Sequence, residues 1–521
     1  MFVKILMLVV FFAIMIGVGF YSRRHATDVN GFVLGGRKVG PWLTAFAYGT
    51  SYFSAVHFGG YAGQFGWRFG IASTWIGLGN AFIGSLLAWV ILGRRTRIMT
   101  QQLNSATMPE FFGKRYGSNA LKIGASAIIF IFLIPYTASL YNGLSRLFGM
   151  AFNIDYTVCI IIMAVLTGIY VIAGGYMATA INDFIQGIIM LVGIVAVIAA
   201  VLKANGGFIQ SISDMARVED ASVSDVPGVF ASFFGPKPLD LLGVVILTSL
   251  GTWGLPQMVQ KFYAIRSENA IAKGTIISTF FAVVVAGGCY FLGGFGRLFF
   301  AQMEIGANGV PVGGYDAIVP KMLETLSPLL IGVVVILVLS ASMSTLSSLV
   351  LASSSTLTLD FLKGNIIKDM DEKKQVFIMR ALIVVFILIS VIIAIVQYST
   401  TVNFIAQLMG ISWGALAGAF LAPFMYGLYM KKATAASVWC SMIFGVGIMV
   451  LNMVAKGIFP AFLQSPINCG ALAMLAGLVI VPVVSLVTPK PERRLIDFAF
   501  AGYEQKVVVA AKSSLGDSER A

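Results

Sequence analysis

Ala341, Ser344, Thr345 and Ser348 fall at i, i+3, i+4 and i+7, a spacing that lines them along one face of a helix. They belong to the string Ser340-Ala341-Ser342-Met343-Ser344-Thr345-Leu346-Ser347-Ser348, followed closely by Ser353-Ser354-Ser355. Hydroxyl and carbonyl oxygens without formal charge suit a weakly held monovalent cation, whereas Ca²⁺ favours several carboxylates. A second string, Gly49-Thr50-Ser51-Tyr52-Phe53-Ser54-Ala55-Val56-His57-Phe58-Gly59-Gly60, puts small residues and hydroxyls where a Leu/Ile/Val run is expected. A helix that unwinds there turns backbone carbonyls toward a cation. For both strings the competing reading is close helix contact through small and hydroxyl residues. Asp183 is the one carboxylate well inside an apolar run. Unpaired in hydrocarbon it costs about 3 kcal/mol or more, so it demands a cation, a hydroxyl or a proton as partner. A structural Asp hydrogen-bonded to helix ends is the alternative.

The elements that must position these groups are membrane helices. Of 521 residues, 58% are hydrophobic and 11% charged, and the mean hydropathy is +0.90, which excludes an ordinary soluble enzyme. Runs approaching the roughly 20 apolar residues a bilayer requires occur at 3–21, 41–63, 70–93, 123–150, 155–174, 177–202, 239–260, 274–300, 326–356, 378–398, 402–428, 433–455 and 470–487, thirteen in all. Gly251-Thr252-Trp253-Gly254-Leu255-Pro256 interrupts the seventh, because proline removes a helical hydrogen bond and glycine loosens the turn. Counted after the first span, the interrupted helices are numbers one and six, corresponding members of two five-helix halves. Such pairing points to an inverted-repeat transporter with its site near the midplane.

The basic excess, 35 Lys+Arg against 22 Asp+Glu, is a topological signal. With the N-terminus outside and the C-terminus in the cytoplasm, 26 of the 35 basic residues lie on cytoplasmic segments, Lys261 among them at the head of segment 261–273. No nucleic-acid partner is needed to explain the charge. Cys159, Cys289, Cys440 and Cys469 show neither CxxC nor Cys/His spacing, so neither a disulfide scaffold nor a zinc site is expected. Phe2–Tyr21 is read as a spanning helix rather than a signal peptide, since Arg23-Arg24 follows in place of a small-residue cleavage site. The external loop 204–238 carries Asp214, Glu219, Asp220 and Asp225 and is expected to hold short helices; the tail 488–521 is read as a partly ordered cytoplasmic extension.

At Phe32-Val33-Leu34-Gly35-Gly36-Arg37, at Ala106-Thr107-Met108-Pro109-Glu110-Phe111-Phe112-Gly113-Lys114-Arg115-Tyr116-Gly117, at Gly174-Gly175-Tyr176-Met177-Ala178 leading to Asp183 and Gln186, and at Met343–Ser348 with Asp360 after it, the sequence resembles the sodium:solute symporter family. That group includes the sodium/proline, sodium/galactose and sodium/sialic acid carriers. The resemblance implies an all-α polytopic protein of about thirteen spans. Its LeuT-like five-plus-five inverted-repeat core would have one helix in front (1–24) and two behind (433–487), the halves covering 41–202 and 239–428. It further implies a main Na⁺ site formed by backbone oxygens of Thr50, Phe53 and Ala341 with the hydroxyls of Ser344 and Thr345. Some members hold a second Na⁺ at the positions of Asp183, Ser344, Ser347 and Ser348, so one or two Na⁺ ions are expected. Tyr52 stands where the proline carriers place an aspartate, Thr248 where an aromatic is expected, and Tyr136 at a position implicated in substrate binding.

Candidates for solute contact are Ser54, His57, Asn80, Tyr136, Asn142, Thr252, Trp253, Gln257 and Gln407, polar or aromatic groups within or near spans. For His57 a packing role competes with contact to a carboxylate, and for Arg146 snorkelling competes with an anionic solute. The expected function is Na⁺-coupled import of a small organic solute, an amino acid or monocarboxylate first and a sugar or sialic acid second, by a monomer in a bacterial inner membrane. Proton coupling through Asp183 and a transporter-like sensor are the rivals. No enzyme is expected, as neither HExxH nor GxSxG lies in a span.

Overall fold

The computed structural model describes residues 2–504 apart from 55, 153–154, 222, 303–304, 306–310, 313, 325, 364, 368 and 400–404. Its main helices are α1 (Phe2–Ser22), α2 (Pro41–Tyr52), α3 (Ala62–Phe69), α4 (Asn119–Phe152), α5 (Tyr156–Ala204), α6 (Pro238–Gly254), α7 (Pro256–Ala264), α8 (Glu268–Ala282), α9 (Pro328–Thr356), α10 (Glu372–Ser399), α11 (Ile405–Tyr429), α12 (Ala435–Val454) and α13 (Pro466–Val487).

Among the described residues, ten helical runs are long and apolar enough to cross a bilayer, eleven when α6 and α7, bent by 46° at their junction, count as one. Two of the ten, Val56–Gln102 and Thr157–Ala204, are 47 and 48 residues long, about twice the roughly 20 a crossing needs. Each contains a glycine in a backbone conformation that side chains exclude, Gly70 at φ 62°, ψ −142° and Gly175 at φ 54°, ψ −143°. A Cβ on Gly70 would lie 2.1 Å from the Phe230 carbonyl oxygen, and one on Gly175 2.7 Å from that of Phe32. Divided at these glycines, with α2 joined to the stretch ending in α3, the runs resolve into the thirteen segments read from the sequence.

Both interruptions are real. After α2, Phe53 is extended at φ −88°, ψ 115°, and the chain resumes as a π-helical turn, Val56–Tyr61, before α3. Between α6 and α7, Leu255 is extended at φ −81°, ψ 124°, and Pro256 opens α7 at a position where its missing N–H costs nothing. The second interrupted span therefore runs on to Ala264. Lys261 corrects the sequence reading as a result: it is not at the head of a cytoplasmic segment but inside α7, 2% exposed. The start of α2 and the end of α7 are tied by backbone bonds from Val39 N–H to Ala264 O (3.2 Å) and from Arg266 N–H to Val39 O (3.0 Å).

Helix α9 packs against α5, α4 and α2, which brings its hydroxyl face to the first break; α1 lies along α5. The loop 204–238 carries the helix Phe208–Ala216, and Arg297 pairs with its Asp220 at 2.9 Å. The described part of the tail forms a helix, Arg493–Glu504, whose Tyr503 hydroxyl donates to Arg95 O. All four cysteines are free thiols.

Candidate functional site

The first break and α9 meet through five oxygens. Thr345 Oγ1 lies 3.1 Å from Thr50 O, 3.4 Å from Phe53 O and 3.1 Å from Ala341 O. Ser344 Oγ lies 3.2 Å from Thr50 O and 3.1 Å from Ala341 O. Every one of these residues is fully buried or 1% exposed. The i, i+3, i+4 spacing along α9 puts Ala341, Ser344 and Thr345 on one side of one turn. The break in α2 frees the Phe53 carbonyl from a helical partner, as extended backbone must. Ala341 O keeps its helical bond from the Thr345 N–H, and the two hydroxyl oxygens lie beside the carbonyls at the break. The result is a buried nest of five oxygens without formal charge, which suits a small monovalent cation.

Next to it is an imidazole enclosed by aromatic rings. His57, on the π-turn, stacks on Phe53 (centroids 5.8 Å, 26°) and lies within 5.5–6.5 Å of Tyr52, Tyr61, Tyr290 and Trp413. Tyr136 of α4 meets Trp413 edge-on at 5.9 Å. The Ser54 N–H donates to His57 Nδ1 at 3.4 Å, which leaves the proton of a neutral ring on Nε2. That atom is buried and has no hydrogen-bond partner, and neither has the Tyr52 hydroxyl. Phe53 belongs to both groups, giving its carbonyl to the oxygen nest and its ring to His57.

Of the expected solute contacts, Ser54, His57 and Tyr136 come together here. Asn80 stands one layer out, accepting from Ser249 at 3.2 Å. Thr252 and Trp253 do not join them: Thr252 Oγ1 bonds Gly84 O and Trp253 Nε1 bonds Ile83 O, both at 2.9 Å, fastening α6 to its neighbour. Gln257, in the first turn of α7, is buried with both amide atoms unpartnered. The side chains of Asn142, Arg146 and Gln407 lie outside the described residues.

Sequence reasoning missed Lys261. Its Nζ donates to Ser348 Oγ at 2.9 Å and lies 3.8 Å from Asp183 Oδ2 and 5.2 Å from the Tyr176 ring centre. Ser51 and Ser348 hydroxyls are 2.9 Å apart. Of the four residues expected at a second Na⁺ site, Ser344 is turned to the first nest and Ser347 Oγ bonds Ser344 O at 2.9 Å.

The strings at Arg37, Thr107 and Asp360 come together at one end of the helices. Arg37 donates to Thr100 Oγ1 and Tyr263 O, both at 3.2 Å, and to Ser105 O. Burial lowers its guanidinium to about 10, against the pull of Tyr263 and Glu110, so it stays charged at neutral pH. Thr107 caps the helix Met108–Tyr116 by accepting from Glu110 N–H, and donates to the buried Asp360 carboxylate at 2.6 Å. Arg115 of that helix donates to Gly427 O and Met430 O beyond the centre of α11.

Residues 32–445 match the profile of the sodium:solute symporter family. The chain belongs to that family. A sodium/proline symporter of Staphylococcus aureus strain JH9 is 30% identical over 457 residues, covering 86% of this chain and 85% of the relative. A solved Na⁺-coupled sialic acid symporter in a substrate-bound, outward-open state superposes with a TM-score of 0.72 at 16% identity, covering 95% of this chain and 99% of its own. A nucleobase-cation-symport-1 family transporter in a closed conformation gives 0.50 at 13% identity, covering 89% and 97%. These likenesses show the LeuT-like fold. This family member is thus a multi-pass membrane transporter, a symporter that couples Na⁺ to a solute.

Proposed function

We propose that Na⁺ binds among Thr50 O, Phe53 O, Ala341 O, Ser344 Oγ and Thr345 Oγ1 and draws in a small amino acid or monocarboxylate held at the His57 cluster. The observation that carries this reading is the convergence of five buried, uncharged oxygens where the first break meets α9, two hydroxyls within 3.1–3.4 Å of the Thr50, Phe53 and Ala341 carbonyls. A cation there lets both hydroxyls turn their lone pairs inward and satisfies the carbonyls together. The solute's carboxylate would meet the unpartnered Nε2–H of His57, and its apolar body the surrounding rings. The 30% identical sodium/proline symporter supports an amino acid as the first class to try.

Coupling follows from Phe53. Sodium that fixes the Phe53 carbonyl also fixes the ring stacked on His57, so the solute meets a preorganised surface only when the ion is present. Driving force requires this differential affinity between states. With 26 of 35 basic residues on the segments read as cytoplasmic, the N-terminus faces out and transport runs inward down the Na⁺ gradient; the buried Lys261 is one of the 26 and carries no weight there.

A thermal-shift screen of the purified protein against amino acids, carboxylates and sugars, with and without Na⁺, identifies the solute, and its uptake into proteoliposomes tests the coupling. The expected outcome is uptake that needs an inward Na⁺ gradient. Undiminished uptake from Na⁺-free, proton-clamped medium would refute it, and ΔpH-driven uptake would move the coupling to a proton.

A further inference from the structure

Asp183 on α5 and Ser348 on α9 are two of the positions at which some relatives are expected to hold a second Na⁺, yet in this chain both face an ammonium group. Lys261 reaches them from α7, with Nζ 2.9 Å from Ser348 Oγ and 3.8 Å from Asp183 Oδ2. Lys261 is 2% and Asp183 0% exposed, and the carboxylate has no hydrogen-bonding partner, so the ammonium is its counter-charge. The remaining two positions are committed elsewhere, Ser344 to Thr50 O and Ala341 O, and Ser347 to Ser344 O. A Na⁺ beside Asp183 would therefore meet a like charge at contact distance and find one remaining hydroxyl of the set, Ser348, already bonded to Lys261 and Ser51. The residues present do not fit a second sodium.

We infer that the Lys261 ammonium is a tethered cation occupying the place of a second sodium, so that this protein binds one Na⁺ per chain. The inference rests on the main-site reading above and adds the ion number. Chemically, one carboxylate needs one positive charge to be stable in a buried setting, and the chain supplies that charge itself. An ion fetched from solution brings its share of the transmembrane gradient into the cycle; a tethered ammonium brings none. The break at Leu255 is what makes this geometry, because it carries α7 inward far enough for Lys261 to reach α5 and α9.

The test is equilibrium ²²Na⁺ binding to the purified full-length protein, with no solute present, counted as ions per chain. One site is expected in the wild type. Lys261→Ala, which leaves Asp183 without its counter-charge and opens the space of the ammonium, is expected to bind two. Lys261→Gln combined with Asp183→Asn, which removes both charges, is expected to return to one. Two sites in the wild type would overturn the inference with no need of any variant, so a Lys261→Ala protein that fails to fold does not shelter it. One site in both the wild type and folded Lys261→Ala would overturn it equally. The main-site reading fails separately: it is lost when the wild type retains no ²²Na⁺, or when Thr345→Ala leaves its single site unchanged.

Discussion

The two broken helices share backbone geometry and differ in what they meet. Phe53 and Leu255 sit at nearly the same extended dihedrals, each at the end of a helix that would otherwise cross the membrane whole. The first break opens onto hydroxyls of α9, which sit against its Thr50 and Phe53 carbonyls. The second is closed by apolar packing: Leu255 is fully buried, and a Cβ on Gly254 would stand 2.8 Å from backbone atoms of Ala417 and Leu421. Of its polar neighbours, Thr252 is paired with Gly84 O and Trp253 with Ile83 O, while the Gln257 amide is buried with no facing oxygen bonded to it. An interrupted helix is thus an ion site only where a facing element supplies oxygens. The second break instead aims a helix, and with it Lys261.

This contrast can be broken in order of expected effect. Replacing both hydroxyls at the first break, Ser344→Ala with Thr345→Ala, should raise the Na⁺ concentration for half-maximal uptake by about 100-fold or more, since each bond to a charged group is worth roughly 1.5–3 kcal/mol. A shift under threefold in a Na⁺ titration contradicts the site. Gly254→Ala should act on stability instead: overpacking against fixed backbone costs about 1–3 kcal/mol, read as a lower Tm with the Na⁺ dependence of the folded fraction unchanged. Phe53→Ala keeps the carbonyl and removes the ring on His57, so solute KM should rise about tenfold while ²²Na⁺ affinity moves by less than threefold; the reverse pattern would show that the ring serves the ion. Thr252→Ala should do least, about 1 kcal/mol of stability for a lost bond to Gly84 O, with Na⁺ activation within about twofold of wild type.

Much of this could be read from the sequence because the signals are local. Gly49–Gly60 announces a break by small and hydroxyl residues where a Leu/Ile/Val run is expected, Pro256 by its missing N–H, and the α9 oxygens by helical spacing alone. What could not be read depends on where elements end and what they lean on. Lys261 looks like a cytoplasmic basic residue until the extended Leu255 shows that the span continues past it. The His57 surroundings are assembled from residues far apart in the chain, Tyr52, Tyr61, Tyr290 and Trp413, and no periodicity links them. Trp253, read as a solute contact from its type, spends its N–H on Ile83 O, an assignment only tertiary packing decides.

The central claim, that a cation lodges where the first break meets the hydroxyls of α9, is tested most directly by ²²Na⁺ retention on purified protein carrying Ser344→Ala and Thr345→Ala together, beside a Thr252→Ala control at the second break. The account predicts that the doubly substituted protein loses high-affinity retention and that the control keeps it. Retention equal to wild type in the doubly substituted protein would contradict it.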